Sequence, residues 1–118
     1  MTTYFRVQPG NYDPHRLLDP ACQTSTAWHN PAIVMDGVSA CASREELATY
    51  LATAGQGIPY GSGGWVLVEM EGEELPTPAL DAEYGEVLVR PTRIVRVTDL
   101  DTDDEMWDMI GSAYEAAQ

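Results

Sequence analysis

The sequence predicts a mixed α+β domain, and three observations carry that prediction. Short apolar runs bounded by glycine and proline lie near both ends of the chain, a helix signal sits in the middle, and a second closes it. The 118 residues suit one compact domain spanning 1–118, long enough to bury a modest core. A hydrophobic fraction of 44% with a mean hydropathy of -0.24 fits a folded, soluble chain better than a disordered one.

In chain order, TYFRVQ at 3–8 reads as a short strand stopped by Pro9 and Gly10, with Arg6 as its one charged member. Residues 11–36 read as loop, because Pro14, Pro20 and Pro31 interrupt any long element. Only Leu17, Leu18 and the run Ala32, Ile33, Val34, Met35 are expected to bury there. GVSAC at 37–41 predicts a second strand. The helix after it has the strongest local signature: Ser43 and Glu46 form a capping box, Leu47, Tyr50, Leu51 and Ala54 follow at helical spacing, and Gly55 supplies the stop. Residues 55–64, GQGIPYGSGG, read as a flexible, lid-like loop that lacks the pattern and strand-to-helix setting of a phosphate loop.

WVLVEME at 65–71 predicts a further strand, and the polar stretch at 71–80 a connection. EVLV and RIVRVTD read as two strands separated by Pro91 and Thr92, since proline implies a bend or a sheet edge. Thr102 and Glu105 form a second capping box opening a helix to Ala117. Met106, Ile110, Ala113 and Ala117 line one of its faces, and Asp103, Asp104 and Glu105 suit the positive end of its dipole.

Charge narrows the partners. Nineteen acids face six arginines and no lysine, a formal net charge of -13. Binding to nucleic acid or an anionic membrane rests on basic groups that neutralise phosphates, so neither is an expected partner. No apolar run reaches the roughly eighteen residues of a membrane span, and MTTYFRVQPG has no leader pattern, which predicts a cytoplasmic protein. Cys22, Cys41, His15 and His29 lack metal-ligand spacing, so reduced cysteines and no metal are expected.

Glu86 in LDAEYGEVLVRP poses the functional question: it is either a catalytic carboxylate or the solvated end of a strand. The order of motifs bears on it. Tyr4 and Arg6 on the first strand, Gly37 and Ser39 on the second, Ser43, Ala48 and Tyr50 on the helix, and Glu86, Val87, Leu88, Val89 and Pro91 near the end run through most of 3–97. In that order they resemble the ADP-ribosyltransferase superfamily, in its Arg-Ser-Glu branch. Each motif is short, and the specificity lies in their order. The resemblance implies a small split, twisted antiparallel sheet whose central cleft holds NAD. It also implies that Arg6 and Ser39, with Tyr50, contact NAD and that Glu86 is catalytic, accepting a hydrogen bond from the nicotinamide ribose.

Two departures narrow what the resemblance implies. Val38-Ser39-Ala40 stands where the family carries two hydroxyls, and Tyr84 stands where arginine-modifying members carry Glu or Gln, so modification of arginine side chains is not expected. A reduced member of the family fits, with NAD and a protein target as partners. The alternative from another class is a non-catalytic acidic module that binds or inhibits a protein, favoured by the acids at 69–74 and 99–104.

Overall fold

The computed structural model describes residues 2–26, 34–53 and 64–116. Its first strand, β1 (Thr3–Pro9), has apolar residues on both faces: Tyr4 joins one core cluster while Phe5 and Val7 pack against the other. Successive strand side chains point to opposite faces, so this short sequence serves two cores at once.

The chain then makes two short 3-10 turns, Pro14–Leu18 and Pro20–Cys22. Two further strands, β2 (Thr24–Thr26) and β3 (Val34–Asp36), pair as a separate antiparallel ribbon. The expected loop over 11–36 is thus partly structured, because Pro14 and Pro20 open turns instead of breaking them. Each follows an aspartate whose Oδ1 accepts a backbone N–H two residues on: Asp13 from His15 and Asp19 from Ala21, both at 3.0 Å. Leu17 buries as expected, whereas Val34 is 62% exposed. Ala32 and Ile33 lie outside the described residues.

The main sheet adds β4 (Val38–Cys41), β5 (Trp65–Glu74) and β6 (Glu86–Asp99). All pairings are antiparallel, in the closed order β1-β4-β6-β5. β1 pairs with β5 along its whole length, from Thr3↔Glu71 to Pro9↔Trp65, while β4 meets β1 at one pair, Phe5↔Cys41.

Two expectations about the late strands are corrected. The segments on either side of Pro91 form one continuous strand, β6, which absorbs the proline through register shifts against β5. Glu71 faces Arg93 and Gly72 faces Pro91, leaving Thr92 as the extra residue. A Cβ at Gly72 would lie 2.6 Å from Val89 Cγ1 and 2.8 Å from the Arg90 carbonyl oxygen, so only glycine admits this close approach. In addition, β5 runs on to Glu74 through the start of the expected connection. Its acids Glu69 and Glu71 meet Arg96 and Arg93 across the ladder at 3.2 and 2.8 Å.

Helix α1 (Arg44–Thr53) begins as expected, with Ser43 Oγ accepting from the Glu46 N–H at 3.1 Å. Ala54 and residues 55–63 fall outside the described residues. Helix α2 (Asp104–Ala116) starts one residue later than its capping box predicts. Asp103 is the cap, accepting from the Met106 N–H at 3.0 Å, while the Thr102 hydroxyl donates to the Asp99 carbonyl. A carboxylate at the helix N-terminus competes well with the neighbouring hydroxyl. The other oxygen of Asp103 takes Arg44 at 3.5 Å, tying the starts of the two helices together.

Both helices pack on the Phe5 and Leu67 face of the sheet. Met106, Leu100 and Cys41 are fully buried there, beside Leu47, Leu51 and Ile110. Ala113 adds partial contact, and Ala117 is outside the described residues. A second cluster of Tyr4, Leu17, Val38, Val68, Met70 and Val89 fills the opposite face. Among the described residues, no helix is long and apolar enough to cross a membrane.

Since Met106 is completely buried between α1, α2 and the sheet, Met106→Ala should cost about 2–5 kcal/mol. Thermal unfolding should shift down by on the order of 10 °C or more. An unchanged melting temperature would mean that α2 is not part of the cooperative core.

Candidate functional site

Beyond the single Phe5↔Cys41 pair, β1 and β4 part company. Residues 6–9 of β1 and 38–40 of β4 continue side by side without a ladder, so the β4 edge must find other donors. Arg6 supplies one: its Nη1 donates to the Ser39 carbonyl at 2.9 Å across the gap. Strand alternation puts Arg6 on the face of Tyr4 and Gln8, and puts Ser39 and Glu86 on the face of Cys41. Opposite faces of an intact sheet do not meet. Here the gap opens both onto one cavity of about 550 Å³, lined by Arg6, Gln8, Tyr12, Ser39, Tyr50, Trp65 and Glu86 among others.

Glu86 is not a solvated strand end; it is 8% exposed. The preceding residues hold it in place. A short turn at Ala82–Tyr84 ends in Gly85, whose φ of 95° lies in the left-handed region that glycine adopts without strain. The turn carries the Asp81 N–H back to Glu86 Oε1 at 2.9 Å. Glu86 Oε2 accepts from the hydroxyls of Ser39 and, at 3.3 Å, Tyr50. A carboxylate offers about four acceptor positions, so these three bonds fix its orientation and leave capacity toward the cavity.

The Arg6 guanidinium lies deep among protein atoms, and the residue keeps partial solvent access through the cavity. Its Nε donates to Gln8 Oε1 at 3.1 Å, and among the described residues no carboxylate pairs with it. Burial lowers its pKa to about 10, with Tyr50 acting the other way. A cation buried without a counter-charge is unfavourable, and an anion bound in the cavity relieves the strain on it. Two of its five N–H donors are committed to Gln8 and Ser39, which leaves others for such a ligand.

The four residues singled out in the sequence therefore come together. Ser39 is the link, with its carbonyl bonded to Arg6 and its hydroxyl to Glu86. Tyr50, expected to contact a cofactor, directs its hydroxyl at Glu86 while also lining the cavity. Gln8, Tyr12 and Trp65 were not anticipated from the sequence. Gln8 had a usable signal, since it lies two residues from Arg6 on the same strand face; the structure buries it to 3% exposure. The Asp81 N–H had none, being a backbone group aimed by a turn.

Among the described residues, no group of three or more His, Cys, Asp or Glu side chains is arranged to hold a metal ion. His15 is exposed beside Asp13, and His29 is outside the described residues. Comparisons of the chain with protein-family models, curated proteins and solved structures return no match.

Cys41 sits at the pair that closes the sheet and is fully buried, whereas Cys22 is half-buried; neither forms a disulfide. Burial pushes the Cys41 thiol up to about 12, reinforced by Glu46 and Glu86. At pH 8 a thiol reagent should therefore modify Cys22 at least ~100-fold faster than Cys41, which should react only on unfolding. Equal rates would show that the Phe5↔Cys41 closure opens readily.

Proposed function

We propose that the cavity binds NAD and that the protein cleaves its nicotinamide-ribose bond, passing the ADP-ribosyl group to water or to a protein acceptor. One observation carries this proposal: Arg6, Ser39 and Glu86, distant in sequence, meet in one cavity where an antiparallel sheet divides. That is the constellation implied by the resemblance to the Arg-Ser-Glu ADP-ribosyltransferases, whose fold this proposal extends to the chain.

The chemistry suits the groups. When the bond between C1′ and the nicotinamide nitrogen breaks, its electron pair leaves with the nitrogen and neutralises the pyridinium, while positive charge spreads over C1′ and the ring oxygen of the ribose. A carboxylate fixed by Ser39, Tyr50 and the Asp81 N–H stabilises that cation more than the ground state and needs no reorganisation. The acceptor oxygen or nitrogen then bonds to C1′ and releases its proton to Glu86 or to water. The spare donors of Arg6 match the diphosphate, whose charge is the same before and after bond cleavage.

A second function draws on the acids of α1 and of the elements that flank it. Glu45, Glu46 and Glu83 line one shallow groove, and Glu45, Glu105 and Asp108 another. Together with the net charge of -13, they favour a basic protein partner bound without turnover.

Incubation with NAD, with and without cell extract, separates the two functions through nicotinamide release and label transfer. Glu86→Gln should lower turnover by roughly 10²–10³-fold while keeping much of the affinity for NAD. Arg6→Lys keeps the charge but loses the fork, and should chiefly weaken binding. If the wild type neither binds NAD nor releases nicotinamide at high enzyme concentration, the transferase proposal fails and the acidic-module function takes its place.

A further inference from the structure

The cavity is lined by residues 6–9 of β1, and the groups that line it near the two ends of that run differ in chemistry. Glu86 stands at the level of the closing pair, since it faces Cys41 and Cys41 faces Phe5. At the other end Trp65 faces Pro9. The separation from Phe5 to Pro9 is four residues, about 13 Å at the rise of a strand. Arg6 lies between the two ends.

The far end is aromatic. Tyr12 follows Pro9 in a turn closed by its N–H to the Pro9 carbonyl at 3.2 Å. It is 60% exposed yet lines the same cavity as Trp65. An exposed aromatic side chain on a turn is ordinarily mobile, but the backbone here is held from inside the fold. Gln8 Nε2 donates to the Tyr12 carbonyl at 3.2 Å, while the Oε1 of the same amide accepts from Arg6. One buried glutamine thus sets both the cation at the centre and the aromatic residue at the end. Burying a primary amide for this purpose is unfavourable unless both of its ends are bonded, as they are here.

The order along the cleft is a carboxylate, a cation and an aromatic pair. Resting on the function proposed above, we infer that Tyr12 and Trp65 form a stacking site for the second base of a dinucleotide. The ligand then runs from a ribose at Glu86, through an anionic linker at Arg6, to a planar ring at the far end. Stacking on aromatic side chains suits any base, so it discriminates by the presence of a second ring and not by its identity.

Calorimetric titration with NAD, ADP-ribose and nicotinamide mononucleotide tests this, because the first two carry the adenine that would stack at the far end and the third does not. NAD and ADP-ribose should bind at least roughly tenfold more tightly than the mononucleotide, on the scale of one stacked base. Tyr12→Leu, at an exposed position that leaves the core intact, should weaken NAD roughly tenfold more than it weakens the mononucleotide. Trp65→Leu should act in the same sense, with circular dichroism to verify its fold. Equal affinities for NAD and the mononucleotide, or equal losses for both in Tyr12→Leu, would overturn the stacking site while leaving the NAD proposal standing. If none of the three binds, the NAD proposal falls as well.

Discussion

The structure turns on a sheet that closes at a single residue pair. Phe5↔Cys41 is the one point at which β1 and β4 share a ladder, and everything that distinguishes the cavity follows from their separation beyond it. Had pairing continued through Val7 and Ser39, the carbonyl of Ser39 would bond to backbone and Arg6 would have no edge to satisfy. The two faces of the sheet would also be sealed from each other. An interrupted ladder leaves backbone groups in need of partners, and this chain answers with a guanidinium. The division in the sheet and the charge in the cavity are therefore one feature.

Around that gap the polar groups form a connected set. Gln8 bonds Arg6, Arg6 bonds Ser39, Ser39 bonds Glu86, and Glu86 is held in addition by Tyr50 and the Asp81 N–H. Among the described residues, no buried side-chain nitrogen or oxygen lacks a hydrogen-bond partner. Satisfied networks in a low-dielectric interior are rigid, and rigidity is what an electrostatic site needs. The one imbalance is charge: Arg6 has hydrogen bonds but no described counter-ion, and burial draws down its pKa.

Residues 12–25, after β1, support the cavity wall. Gln23 is buried and donates to both the Leu17 and Pro91 carbonyls, at 3.0 and 3.1 Å. It pins the two 3-10 turns to the part of β6 that the proline bends. Pro91 cannot donate to a neighbouring strand, yet its carbonyl remains available, and Gln23 uses it. This anchoring fixes the course of the chain from the turn at Tyr12 to the residues of β2, Thr24 and Ser25, that complete the cavity wall.

The elements whose signals are local could be read directly from the chain. The capping box at Ser43, the run TYFRVQ stopped by Pro9 and Gly10, and the apolar stripe of the last helix each depend on residues within a few positions of one another. The α+β class and the core residues Leu47, Met106 and Ile110 followed from them. Local signals failed where partners were distant. Pro91 reads as a break until Gly72 is placed opposite it, and Thr102 reads as a cap although Asp103 takes the role. Motif order alone linked Arg6, Ser39, Tyr50 and Glu86, without saying what they touch. It took the folded arrangement to show that Glu86 is buried and bonded three times, that Arg6 fills a broken ladder, and that Tyr12 and Trp65 share their cavity. Each of these is a pairing across strands or turns, and register between distant segments is set by packing and hydrogen bonding that no short stretch of sequence records.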